Sequence, residues 1–181
     1  KKYVKKGVRR VVQNRGIKKN MGQGKLSCLD WVDGGLAIWA LVFAFTSFFV
    51  DAVFALGVPI QQDSPNILAR WIYEYYAKDT DYLLIHMPLF LRIQTWFSAF
   101  VFGPFYSVLC LGLLKKWEWI RIPSFVYAGV MGYGMTIVFG VELFGAYPPG
   151  NYVRFFSGTL PYALFPMALF WRMLYWQKAH D

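Results

Sequence analysis

Acidic residues are scarce in this chain: ten Asp or Glu in 181 positions, and none before Asp30. Charged residues of both signs together reach 16%, against about 25% in a soluble domain. A soluble fold, which has to cover hydrophobic helices with polar surface, is excluded on that ground. Cysteine is nearly missing too. Cys28 and Cys110 are too few for a disulfide framework or a metal site, and their expected difference in depth argues against a bond between them. Of the two histidines, His86 beside Pro88 reads as an interface residue, and His180 is assigned nothing. No phosphate-binding glycine loop, HExxH, CxxC or GxSxG motif occurs. No metal and no cofactor are expected.

Apolar residues are abundant, at 57%, with aromatics at 20%. They gather in Gly35–Val58, Pro88–Leu114, Ile122–Phe144 and Phe155–Tyr175, each about as long as the ~20 residues that cross a bilayer core. The expected fold is therefore an all-α membrane protein, a four-transmembrane-helix up-down bundle over residues 30–181, preceded by a basic arm, residues 1–29. The long connection 57–87 contains a predicted interfacial helix over Ile67–Lys78, with Ser64 as its cap and Pro65 at its first position. Pro123 suits the first turn of the third span, and 147–151 reads as a turn.

The charge is distributed unevenly. The arm holds ten Lys or Arg, the 115–121 connection has three bases against one acid, and 57–87 has two bases against four acids. The positive-inside rule places both termini and 115–121 on the cytoplasmic or matrix-like side. Lys5, Lys6, Arg9, Arg10, Arg15, Lys18 and Lys19 are the expected partner-binding residues, against an acidic protein surface or anionic headgroups. Nucleic acid is not expected as a partner, because no motif for it is present. A start at Lys1 is what removal of an import presequence would leave.

An aspartate interrupts the first span. A carboxylate at that depth is costly and is a functional-site hypothesis by default. In the outer third of the bilayer Asp51 is expected to pair with Arg92, with Glu142 nearby. Ser47, one turn before Asp51, and Thr46, Gln94, Thr95 and Ser98 add polar atoms that suit interhelical hydrogen bonds or a small polar-tipped cavity. The glycines Gly129, Gly132, Gly134 and Gly140 suit close helix approach.

These stretches carry a resemblance. Tyr76-Ala77-Lys78 followed by Asp81-Tyr82-Leu83-Leu84, then Trp119-Ile120-Arg121-Ile122-Pro123 with Tyr127, and Pro161-Tyr162-Ala163-Leu164-Phe165-Pro166 resemble the EXPERA-domain family, over roughly 41–175. That family includes the sigma-2 receptor and the emopamil-binding protein, a sterol isomerase. Gly103-Pro104 and Tyr133-Gly134 with Glu142 look more like the isomerase. The resemblance implies a four-helix bundle with a pocket opening toward the membrane and an acid on the first helix facing it, which Asp51 matches. The pocket residues so expected are Ser47, Asp51, Arg92, Thr95, Ser98, Glu142 and Tyr162, for membrane lipid including sterol. Where the isomerase has a histidine this chain has Ser47, and where the family has a second-helix acid it has Thr95 or Ser98. Moving a double bond needs one group to give a proton and another to take one, so no catalytic residue is expected. The expected function is a non-catalytic membrane subunit of a larger organellar complex, respiratory for example, in contact with neighbouring subunits. The mitochondrial inner membrane is the expected site and the endoplasmic reticulum the alternative. The rival reading is a free-standing sterol-, lipid- or amine-binding protein of the sigma-2 receptor type.

Overall fold

The computed structural model describes residues 30–176. The expectations for the basic arm and for Cys28 lie outside them. Every element among the described residues is helical. Helix α1 is Asp30–Ala55. Helix α2 runs without a break over 67–80, as Ile67–Ile72, a π-helical turn at Tyr73–Ala77 and a last turn at Lys78–Thr80. Helix α3 is the short Tyr82–His86, and α4 is Leu89–Leu114. Helix α5 is Arg121–Phe144, entered through a single 3₁₀ turn at Glu118–Ile120, and α6 is Tyr152–Leu174.

Three of these are long and apolar enough to cross a membrane: α1, α4, and α5 with its entry turn, with mean hydropathies of 2.1, 1.9 and 1.5. The chain is thus an integral membrane protein, helical in all its elements among the described residues. The expected fourth stretch is also helical, but α6 is not among those three. Arg154, Ser157, Thr159 and Arg172 interrupt its apolar run, and Pro161 and Pro166 sit inside it. It packs along α5, burying Phe155, Phe165, Leu169 and Met173.

The helix ends follow local chemistry, but α2 begins at Ile67, so neither Ser64 as cap nor Pro65 as first helical residue holds its expected place. The cap of α2 is Asn66, whose side-chain oxygen accepts from Leu68 N at 2.9 Å and Ala69 N at 3.1 Å. Ser64 is two residues too early, and its hydroxyl is buried without a hydrogen-bond partner. Asp81 caps α3, accepting from Leu84 N at 3.2 Å. Asn151 caps α6, accepting from Arg154 N at 3.1 Å. Pro123 falls in the first turn of α5, where its missing N–H costs little.

Two apolar clusters form the core. The larger joins Leu36, Ala40 and Phe43 of α1 to Tyr106, Leu109 and Leu113 of α4, Tyr127 of α5, and Phe165 and Leu169 of α6. The smaller lies at the other end, where Val53 and Phe54 of α1 meet Ile60 and Ala69, Ile72 and Ala77 of α2. Helix α2 is thereby seated on the end of α1.

The end of the bundle near Asp30 is tied by ions. Arg172 Nε donates to Asp33 Oδ1 at 2.6 Å and its Nη2 to Asp33 Oδ2 at 2.9 Å. Lys116 Nζ reaches Asp33 Oδ2 at 2.5 Å and Asp30 Oδ1 at 2.7 Å. Asp33 is 1% exposed and Arg172 5%. Lys116 sits at φ 57, a left-handed conformation that favours glycine. Burial pulls its ammonium down, and the Asp30 and Asp33 carboxylates more than offset this, leaving it raised.

Candidate functional site

α1 and α4 each contain a π-helical turn, at Ser47–Asp51 and Ser98–Phe102, and the two turns pack against each other. Such a turn locally widens a helix and re-aims its side chains, and it is frequent at functional sites. Here it brings three polar side chains together. Ser98 Oγ donates to Asp51 Oδ2 at 2.5 Å, and the Ser47 and Ser98 hydroxyls lie 3.1 Å apart. Tyr162 OH, from α6, donates to Thr46 Oγ1 at 3.1 Å, and Thr46 donates to the Phe43 carbonyl at 3.1 Å. The Thr95 hydroxyl bonds back to the Arg92 carbonyl of its own helix at 3.0 Å.

Two adjoining cavities, of about 280 and 410 Å³, share a wall of Asp51, Leu91, Thr95, Met135, Val138 and Tyr162. The smaller extends between α4 and α5 past Gln94, Ser98, Phe102 and Gly134. The larger runs beneath α2 and α3 and is bounded by Trp71, Tyr76, Asp81, Glu142, Phe155 and Thr159. No Lys, Arg or His is among the lining residues described; the groups that carry charge are all acids or phenols.

The structure brings together most of the residues singled out from the sequence. Asp51, Thr95, Ser98 and Tyr162 line the smaller cavity, Glu142 lines the larger, and fully buried Ser47 stands behind Ser98. Arg92 is elsewhere, and the expected Asp51–Arg92 ion pair does not form. On α4 the positions facing inward are 91, 95 and 98; Arg92 is one step round from Leu91 and therefore points outward, where it is exposed. Its guanidinium lies over Gly57, at φ 71, where no side chain blocks it. Asp51 is left to the serine hydroxyls.

Glu142 also has a different neighbour from the one expected. It is 1% exposed and interacts with Asp81, from the α2–α3 junction, rather than with Asp51 or Arg92. The two carboxyls are close enough to act on each other, yet neither oxygen of Glu142 has a formed hydrogen bond. Burial pushes the Asp81 carboxyl above its ordinary range, while the Glu142 side chain and the backbone of α3 offset part of that. Tyr76 is pushed up to about 12, first by burial and then by Asp81, and so keeps its hydroxyl proton at any ordinary pH. Gly158 of α6 lies under the Tyr76 ring; a Cβ there would come within 3.0 Å of the hydroxyl. The glycines of α5 differ from expectation as well. Gly134 faces Gln94, whose Nε2 donates to its carbonyl at 3.3 Å, but Gly129, Gly132 and Gly140 have open space where a Cβ would stand.

Tyr76 and Asp81 were legible only as parts of a motif, and Asp33 and Arg172 carried no signal at all. Their pairing spans 139 positions, which no local pattern encodes.

A helical fold with membrane-crossing helices around a half-open apolar cavity, whose chargeable lining groups among the described residues are acids and phenols, defines the class: a helical membrane protein with an internal pocket. Residues 67–173 match the family model described as EXPERA (EXPanded EBP superfamily). The match covers well over half of the chain, and the protein belongs to that family. It begins at Ile67, so α1 with Ser47 and Asp51 lies outside it. No curated protein and no solved structure matches the chain.

Proposed function

We propose that this EXPERA protein is a non-catalytic membrane subunit that holds a lipid whose head donates hydrogen bonds, with the ring or chain of the lipid in the paired cavity. One observation carries the reading: the cavity is apolar and aromatic in its walls, and every chargeable group on it is an acid or a phenol. Acceptors favour a donor head, a hydroxyl or an amine. A fatty-acid carboxylate or a phosphate would meet Asp51, Asp81 or Glu142 with no cation to balance it. In this reading α6, packed along α5, completes the bundle as its fourth membrane-crossing helix, with Arg172 held at the interface by Asp33.

The non-catalytic part of the reading is supported by the surroundings of Asp51. Its hydrogen-bond partners are serine hydroxyls, which do not titrate usefully, and the remaining acids sit on α5 and the α2–α3 junction rather than beside it. The subunit part is supported by the composition of the arm, whose ten cations and no acid suit a clamp on an acidic neighbour. The mitochondrial inner membrane is the proposed location, with the endoplasmic reticulum as the alternative. The acid-lined cavity equally favours the second reading, a free-standing lipid- or amine-binding protein.

Purification in mild detergent separates these. The expected result is migration within a larger species on a native gel, with one hydroxyl- or amine-bearing lipid per chain by mass spectrometry, largely lost in Asp51→Asn. Migration alone with that lipid selects the free-standing protein. Retention of anionic lipid only, or full retention by Asp51→Asn, defeats the lipid reading. Turnover of a sterol double bond defeats the non-catalytic one.

A further inference from the structure

Asp81 and Glu142 are two buried carboxyls on one cavity wall, 7% and 1% exposed, and no described cation forms an ion pair with either. The groups around them are otherwise occupied. On α2, Lys78 is paired with Glu74 at 2.6 Å, and Tyr76 carries a neutral hydroxyl. On α3, His86 is stacked on Tyr147 with ring centres 3.9 Å apart. On α6, the Arg154 guanidinium donates to the Tyr75 carbonyl at 2.9 Å. On α1, Asp51 is held by Ser98.

The two acids differ in how firmly their backbones are held. Glu142 is on α5, a long helix packed along α6. Asp81 is the non-helical joint between α2 and α3, and α3 is only five residues long. Contacts with the α5–α6 connection hold this joint down. Gly150 N donates to the Thr80 carbonyl at 3.1 Å, and Gly150 lies against the Asp79 carbonyl and the Tyr82 hydroxyl.

We propose that Asp81 and Glu142 form a proton-operated latch that keeps the α2–α3 joint closed over the outer mouth of the cavity. One proton shared by the pair supplies the hydrogen bond that Glu142 lacks and leaves a single charge. With no proton, two like charges occupy one buried space, which is strongly disfavoured. The repulsion is relieved at the weaker backbone: α3 swings away and the cavity opens. Burial already pushes the Asp81 carboxyl up, which fixes the sign. The latch is fully engaged below the ordinary carboxylate range and is lost as pH rises through the raised value.

The latch governs access to the cavity and rests on the lipid reading only for its purpose, so it is tested without any lipid. Leu84 lines the cavity from α3. In the full chain with Cys28→Ser and Cys110→Ser, a Leu84→Cys reporter is labelled by a water-soluble maleimide across a pH series. The same reporter in a Glu142→Gln background corrects for ionisation of the thiol. The ratio of the two rates is expected to stay near one at acid pH and to rise about tenfold, the response of a local opening linked to one proton. Asp81→Asn, which can still cap α3, should flatten the response as Glu142→Gln does. Amide exchange over 82–86, referenced to α5 in the same sample, should follow the labelling. A ratio that stays flat overturns the latch, and so does an opening that persists in both neutral variants. Failure of the latch leaves the lipid assignment standing, and the reverse also holds.

Discussion

At Asp33 one carboxylate accepts from Arg172 Nε, Arg172 Nη2 and Lys116 Nζ, almost wholly out of solvent. Removing one partner of such a set costs far more than the set contributes, because a buried charge is left alone. Asp33→Asn should lower stability by about 3–5 kcal/mol, read as a large drop in the detergent unfolding temperature. Asp33→Leu with Arg172→Met should recover much of the loss, since apolar replacement of a whole buried pair is often neutral or better. If the double change is as damaging as the single one, the ions do more than hold the ends of α1 and α6 together. Asp51 is the opposite case. The sequence marked it as exceptional, yet its partners are two hydroxyls and no ion.

At the scale of elements, helix existence was legible and helix chemistry less so. The length of the apolar runs predicted α1, α4, α5 and α6, and the interface helix came from Ser64-Pro65-Asn66 before an amphipathic run. Which of those residues caps it depended on backbone geometry: Asn66 is extended, at φ −86 and ψ 119, and its short side chain reaches two N–H groups. Asn66→Ala should therefore destabilise α2 by about 1 kcal/mol. Ser64→Ala, which removes a buried hydroxyl with no partner, should be neutral or mildly stabilising. Amide exchange in 67–72 distinguishes them, and equal effects would return Ser64 to the cap. The π-helical turns had no sequence signature. Two of them, in α1 and α4, pack together where Ser47, Asp51 and Ser98 meet.

For the whole molecule, the net charge of +9 is the sum of +10 ahead of Asp30 and −1 from Asp30 onward. Deleting residues 1–25 should leave the bundle in the membrane but loosen it from its complex. The full-length assembly should weaken as salt is raised, because screening acts on the arm's cations, whereas the truncated chain, which keeps none of those ten, should lose that salt dependence. Native gels at two ionic strengths measure this. Undiminished, salt-resistant assembly of the truncated chain would remove the clamp and favour the free-standing reading.

What the sequence determined by itself was membrane residence, helicity and the residue types at the pocket. Hydrophobic length and the cost of burying charge act locally, so they can be read along the chain. Asp51, Ser98, Thr95 and Glu142 were found that way and Tyr162 through the family resemblance, and the structure places each of them on a cavity wall. Which of them meet was decided by the tertiary structure. Rotation about α4 turned Arg92 outward, the fold of 57–87 carried Asp81 to Glu142, and the return of α6 brought Arg172 to Asp33. Each of those depends on where two distant backbones come to rest against each other, and hydropathy and spacing along one chain hold no record of that.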